Sequence, residues 1–400
     1  MAAIRPFRGL RYNLQRVGDL SAVVAQPHDR IDGEWQRRYY ALSPYNIVRI
    51  IKGQEQVGDG ETENVYTRAG ATYRAWRQQG VLVRDQVPVL YVLRQIFTLP
   101  DGSTRVRLGL TTALELSRFD EGIVLPHERT LAHSMSDRLS LLRATAANFG
   151  SVFMLYPGGR ITELLQTAIE QTPGQTFREL HEHEVVQQFY PLSDPQVIAA
   201  VVEELAPLRG LVIADGHHRY ETALLYRDEM RAADPHAPPN AGFNYCLVTL
   251  VSMDDPGLVI LPTHRLVHSY DRLSTAEVLE RAQAYFEVSL VDGRAALEAA
   301  MAQADPSRIC FGFYDGTSAV LTLRDPAVME KLLPQRCPDW RNLHVAVLHE
   351  LFIEQVLGID KEAVARQEHI TFLRDPQSGY AAVERGQANF FVVLRPTRIE

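Results

Sequence analysis

Apolar residues along this chain recur in two rhythms, every second position and every third to fourth, and the changes between them mark its elements. Ser43-Pro-Tyr-Asn46 leads into the apolar run Ile47 to Ile51, which reads as a strand. Thr62 to Gln79 has helical spacing, with Gly80 as its stop. Val89 to Leu99 and Arg105 to Leu114 flank the turn Pro100-Asp-Gly-Ser103 and predict a hairpin. Asp137 to Asn148 reads as a helix capped by Ser136 or Asp137, Ser151 to Tyr156 as a strand, and Pro195 to Leu205 as a helix. Leu211 to Ala214 is a short buried strand, followed by a turn at Asp215-Gly216 and a helix from about Tyr220. The turn-rich loop from Asp234 to Gly242 separates that helix from the β-rich runs Tyr245 to Ser252 and Leu258 to Val267.

Beyond residue 270 the pattern restarts. Ser274 and Glu277 have capping-box spacing, and Ile309 to Tyr314 pairs with Ser318 to Leu323 across Asp315-Gly-Thr317. Asp339 opens a long amphipathic helix whose apolar face is Leu343, Val347, Leu348, Leu351 and Phe352, ending at Gly358. Ile370 to Arg374 and Gln387 to Leu394 are final strands. The mixture predicts a multi-domain α+β (mixed α/β) chain: an N-terminal α+β region over 1–115, a core over 116–270 holding most polar constellations, and a C-terminal α+β domain over 271–400.

Composition narrows the class. A chain of 400 residues, 46% hydrophobic and 22% charged, has ample material for two or three cores. A net charge of −8 without a Lys/Arg-rich run argues against nucleic acid as a partner. The cysteines, Cys246, Cys310 and Cys337, are odd in number and contain no C-x-x-C pair, so neither a disulfide framework nor a structural zinc site is expected. The first residues lack the apolar core of a signal peptide, and no apolar run reaches the ~20 residues a membrane span needs. The expected location is the cytoplasm, with no membrane partner.

Candidate chemistry concentrates at Asp215-Gly-His-His-Arg219. A helix start offers backbone N–H groups and a partial positive charge to an anion. Gly216 permits close approach, Arg219 can grip phosphate with a two-pronged fork, and His217 and His218 can exchange protons near neutrality. The site therefore reads as one for phosphate or nucleotide. Three further clusters accompany it: His127-Glu128 beside Arg129 and Thr130, Thr263-His264-Arg265 after a proline, and Pro27-His28-Asp29 after an apolar run. Each also has an ordinary reading as a cap, a turn or a satisfied interior histidine. His181-x-His183, His264-x3-His268 and His217-His218 do not join a carboxylate at a recognised metal spacing, so no protein-only metal cage is expected. Neither Gly-rich phosphate loop is present.

Arg5-Pro-Phe-Arg-Gly-Leu-Arg-Tyr12, Ser43-Pro-Tyr-Asn46, His127-Glu-Arg-Thr130 with Asp137-Arg138, Ile213-Ala-Asp-Gly-His-His-Arg-Tyr-Glu221, Leu261-Pro-Thr-His-Arg265 and Phe391-Val-Val-Leu-Arg-Pro-Thr397 occur in one order. In these the chain resembles the bacterial and archaeal domain-of-unknown-function 1015 family. It departs from the usual family pattern at Pro27-His28-Asp29, where Pro-Tyr-Asp is common, and in stopping at Glu400 without a Pro-, Lys- and Tyr-rich tail, so a site part supplied by that tail is expected to lie outside this chain. The Asp215–Arg219 turn is distantly similar to the phosphate-binding turn of the ParB/sulfiredoxin-like fold, which includes a free-serine kinase. That resemblance implies nucleotide phosphates at the helix start; a histidine at 217, where sulfiredoxin has its cysteine, argues against sulfinic-acid repair.

The resulting expectation is a nucleotide-dependent phosphotransferase acting on a small hydroxyl metabolite, with free serine first among acceptors, ATP, ADP or CTP as the nucleotide, and Mg2+. Gly216, His217, His218, Arg219, His264 and Arg265 would bind phosphate, and Glu128, Asp215 or Asp29 would serve the acceptor hydroxyl. His127, Arg138 and Asn46 are secondary candidates. The rivals are a nucleotide-gated ParB-like regulatory protein and a metal-assisted phosphohydrolase.

Overall fold

A computed structural model of the chain describes residues 2–99, 102–126, 132–181, 184–366 and 368–396. It is an α+β protein of two compact units, Met1–Leu258 and Val259–Glu400. The boundary expected after residue 115 falls instead inside a sheet: strand Thr104–Glu115 pairs along Tyr245–Ser252 from Tyr245↔Glu115 to Leu250↔Leu110. Pairing across more than a hundred residues is invisible to local periodicity, which is why the first two expected regions merge.

The first unit is built on a mixed nine-stranded sheet. Its path runs Val124–Leu125, Leu211–Asp215, Val152–Tyr156, Tyr245–Ser252, Thr104–Glu115, Leu90–Thr98, Val186–Leu192, Gln175–Phe177, with Ile4–Arg5 against Thr104–Glu115. The expected hairpin is present, in register from Tyr91↔Thr111 to Thr98↔Thr104. Helices Ile161–Glu170 and Pro195–Leu205 bury Ile161, Leu165, Val201 and Leu205 in a core with Leu90, Val92, Met154, Ile213 and Val248. Pro195 fits the first helical turn, where its missing N–H has no partner to lose, and Asp194 caps Gln196 N.

Ile47 to Ile51 is not a strand. Val48–Ile51 is a single helical turn, because Asn46 fixes the chain before it. Its Oδ1 accepts from Val48 N at 3.0 Å, while its Nδ2 donates to Ala22 O and Val24 O at 3.0 and 2.9 Å. A fully buried Asn46 with those bonds is a structural pin, not a ligand-facing group. Helix Val65–Gln78 starts on a capping box between Asn64 and Thr67. Helix Ala132–Thr145 starts earlier than its expected cap at Ser136 or Asp137.

The second unit is a six-stranded antiparallel sheet, ordered Phe286–Val291, Ser318–Leu323, Cys310–Tyr314, Phe390–Val393, His264–Val267, Ile370–Leu373. The capping box of Ser274 and Glu277 is formed. The expected long α-helix is broken into Pro338–Arg341, His344–Val347 and the π-helix Leu348–Val356. The wider π turn suits a segment that buries Leu348, Glu350, Leu351, Phe352, Ile353 and Val356 at once, more than one α-helical stripe holds. Among the described residues no helix is long and apolar enough to cross a membrane.

Candidate functional site

Strand Leu211–Asp215 ends at Gly216, whose φ of 96° lies in the left-handed region that glycine adopts without penalty. Helix His217–Ala233 begins at once. Its third residue, Arg219, folds back over the junction: the guanidinium donates to the Asp215 carboxylate and to Ser151 O. A Cβ at Gly216 would stand 3.0 Å from that guanidinium and one at Gly150 3.2 Å, so the two glycines form the slot that holds it.

This junction opens on a cavity of about 480 Å3 in the first unit. Asp215, Arg219 and Thr222 line it from the junction, Val24 to His28 from the N-terminal loops, Arg138, Leu141 and Leu142 from helix Ala132–Thr145, and Asn148 to Ser151 from the approach to strand Val152–Tyr156. Leu93, Gln95 and Gln187 are contributed by the sheet, and Phe177 and Glu179 close the far wall. A second cavity of about 450 Å3 shares Ile51, Arg138 and Leu141 with the first, so Arg138 faces both.

Arg138 carries the second cation. Its guanidinium binds Asp137, with Nε 2.8 Å from Oδ2, and reaches Ile51 O at 3.3 Å. Burial draws the Asp137 carboxyl upward, but the Tyr66 hydroxyl at 2.6 Å and Arg138 outweigh it, and the net direction is down. His28 completes the group. Burial is the main force lowering its pKa to about 4, and Arg138 and Arg219 both add to it against Asp29 and Asp137. The imidazole is therefore neutral at physiological pH, and two guanidiniums lie near enough to act on it. The cavity thus brings together two guanidiniums, each paired with a carboxylate (Arg138 with Asp137, Arg219 with Asp215), a neutral imidazole and the carboxylate of Glu179; a competing anion could take either guanidinium from its partner.

The cavity lining separates the expected residues. Asp215 and Arg219 are on it, joined by Arg138 and by His28 from the Pro27-His28-Asp29 cluster; Asp29 itself is outside, its side chain largely exposed. His217 is buried and His218 half-buried, and neither lines the cavity, contrary to their expected phosphate role. The helix starts at His217 rather than near Tyr220, and of its side chains Arg219 and Thr222 line the cavity while those of His217 and His218 do not. His127 and Glu128 lie outside the described residues.

His264 and Arg265 belong to the interior of the second unit. His264 Nδ1 accepts from Leu394 N at 3.1 Å. Arg265 donates to Thr263 O and to His349 Nε2, at 3.1 Å from Nε and 2.9 Å from Nη2, with its guanidinium 4.5 Å above the Phe372 ring. These are strand residues satisfied within their own sheet and helix, so their expected role on transferring phosphate has no support in their surroundings.

Sequence reasoning missed Gln26, Ser151, Glu179 and Thr222. Gln26 and Thr222 directly adjoin motifs already singled out, which was the only available signal. Glu179 accepts from the Tyr39 hydroxyl and from His181 N at 2.9 Å, in a loop without periodicity. Cys246 lies behind the site, and burial pushes its thiol up to about 12, so it is no thiolate nucleophile at neutral pH. Among the described residues no group of three or more His, Cys, Asp and Glu side chains is arranged to hold a metal ion.

A family model described as "Protein of unknown function (DUF1015)" matches residues 4–346, which include every described part of the cavity. No curated protein and no solved structure matches the chain.

Proposed function

The chain belongs to the DUF1015 family, and from that premise we propose that its cavity is the nucleotide site of a cytoplasmic phosphotransferase acting on a small hydroxyl metabolite. The observation that carries the proposal is the convergence of Arg138, Arg219 and neutral His28 on one cavity at a strand-to-helix junction. Phosphoryl transfer needs little from a protein beyond positioning and neutralisation of charge, and this is the equipment present. Arg219 and Arg138 would hold phosphate oxygens, and His28 would donate or accept one hydrogen bond without adding charge.

Asp215 has a conditional role. It is paired with Arg219 while no anion competes for the guanidinium. An arriving phosphate takes Arg219 and frees the carboxylate, which would then orient the acceptor hydroxyl or hold Mg2+ beside phosphate oxygens. A cavity of about 480 Å3 has the size of ordinary small-molecule sites. Free serine is the first acceptor to try, and ATP, ADP and CTP the nucleotides. The proposal includes kinship of the first unit's core with the ParB/sulfiredoxin-like fold.

Titration calorimetry with ATP, ADP and CTP tests this directly. Wild type is expected to bind at least one of them, and Arg219→Ala to lose about a hundredfold or more in affinity, as removal of a charge-assisted fork implies. Failure of wild type to bind any of the three removes the basis of the proposal.

A further inference from the structure

Two polar side chains on the cavity have nothing to bond to. Gln26 is 3% exposed, and neither its Oε1 nor its Nε2 has a hydrogen-bond partner among the described residues. Thr222 is 2% exposed, and its Oγ1 is likewise unpartnered. Both line the cavity that holds Arg138 and Arg219. A buried amide with both ends unsatisfied weakens the fold, since it gave up its water and received nothing in return. Two other polar residues of this unit are satisfied: Asn46 makes the three bonds described above, and Gln95 donates to Gln187 Oε1 at 2.9 Å and accepts from Arg107 Nη2 at 2.6 Å. Unpartnered buried atoms occur elsewhere in the fold, Arg49 Nε, Ser318 Oγ and Tyr380 Oη among them, but of the described residues that line this cavity only Gln26 and Thr222 carry them, and such deficits in a native structure point to an absent partner.

The chemistry of that partner follows from the donors. A glutamine amide presents one donor and one acceptor side by side in a plane. Its complement is a planar edge with an acceptor next to a donor, as every nucleobase carries. The hydroxyl of Thr222 can give or take one further bond, and Phe149, Phe177 and Leu93 supply apolar walls on which a flat ring can lie. We propose that Gln26, assisted by Thr222, reads the base edge of a nucleotide whose phosphates lie on Arg138 and Arg219. This inference rests on the nucleotide reading of the cavity and adds to it the residues that distinguish a nucleotide from bare polyphosphate.

The test compares pyrophosphate with ADP, CDP, GDP and UDP on wild type, Gln26→Leu and Thr222→Val, by calorimetry and thermal unfolding. Wild type should bind at least one nucleoside diphosphate more tightly than pyrophosphate. Gln26→Leu should lose about ten- to a hundredfold in affinity for that nucleotide, falling toward the pyrophosphate value, while pyrophosphate binding is retained; Thr222→Val should show a smaller loss of the same kind. Without ligand, both variants should melt no lower than wild type, and Gln26→Leu about 2–4 °C higher, because an unsatisfied amide has been replaced by hydrocarbon. A Gln26→Leu protein that binds the nucleotide as well as wild type overturns the base-edge role and leaves the nucleotide site standing. A lower melting temperature for Gln26→Leu marks a structural glutamine and overturns it as well. Wild type that binds pyrophosphate and all four nucleotides equally also overturns it, and wild type that binds none of them sinks the nucleotide reading and this inference together.

Discussion

Two clusters of histidine and arginine look alike in the sequence and are opposites in the fold. Around Arg219 the polar groups border an open cavity: Asp215 is largely exposed, two cations converge on one space, and Gln26 and Thr222 are left without partners. Arg265, His264 and His349 themselves carry no unpartnered buried side-chain atom among the described residues. Arg265 is 4% exposed, its guanidinium donates to Thr263 and His349 and lies on Phe372, and His264 is tied to the backbone of Leu394. Possessing cationic and titratable groups does not separate a site from a buried polar joint. What separates them is whether those groups have room and bonding capacity left over for something else.

The largest expected effects come from exchanging the roles of the two arginines. Arg138→Ala should lower affinity for pyrophosphate or nucleotide by about ten- to a hundredfold in calorimetry. Arg265→Ala should leave that affinity unchanged and cost the second unit about 3 kcal/mol in denaturant unfolding, because it opens a void under Phe372 and strips His349 Nε2 of its donors. Weakened ligand binding in Arg265→Ala, with Arg138→Ala silent, would invert the comparison and place the functional residues in the second unit.

Much of this contrast could not have been read from the chain. The hairpin through Tyr91 and Thr111, the helix Pro195–Leu205 and the capping box at Ser274 were legible, because alternation, proline at a helix start and i,i+3 capping are local rules. So was the junction of Asp215, Gly216 and Arg219, where a short apolar run meets turn residues. The short run after Asn46 reads as a strand and is a helical turn. It was decided by Asn46 bonding to Ala22 and Val24, a contact across more than twenty residues. The roles of His217 and His218 depended on which side chains of their helix reach the cavity, and that is set by the loops and helix packed around it rather than by the motif itself. Gln26 was illegible for a deeper reason, since its interest lies in a partner it lacks, and sequence pattern reports residues rather than vacancies in bonding.

Acid should damage both regions in the same direction and sharpen the difference in what it damages. The pKa of His264 is lowered by burial to about 4, and that of His349 to about 3, also by burial, with Arg265 adding to both. An unfolded histidine titrates near 6.5. Between the two values the unfolded state binds more protons than the folded one, so stability rises with pH across the window. It is complete above about pH 6.5 and falls as pH drops toward 4 for His264 and toward 3 for His349. Over the full window the loss can reach about 3 kcal/mol for His264 and about 5 kcal/mol for His349. Denaturant unfolding of wild type from pH 7 to 4 should show the loss, and His349→Gln should make the slope shallower. An unchanged slope would mean that His349 is not held neutral by its surroundings.

His28 obeys the same rule but faces a cavity, and that gives the smallest and most discriminating effect. Burial, with Arg138 and Arg219, lowers its pKa to about 4 when no anion is present. An anion on those arginines offsets their repulsion and favours the imidazolium, so binding and protonation of His28 must assist each other. Sulfate is the suitable probe, because its own charge does not change between pH 5 and 7. Its affinity for wild type should rise by about three- to tenfold as pH falls from 7 to 5, with proton uptake detectable in buffers of different ionisation enthalpy. The rise should vanish in His28→Gln, which keeps a hydrogen-bonding side chain but cannot take the charge, and should persist in His349→Gln, whose imidazole belongs to the second unit's interior. A pH response removed by His349→Gln and untouched by His28→Gln would show that the proton is taken up in the saturated cluster, and the distinction between the two regions would fail at the point where it is most specific.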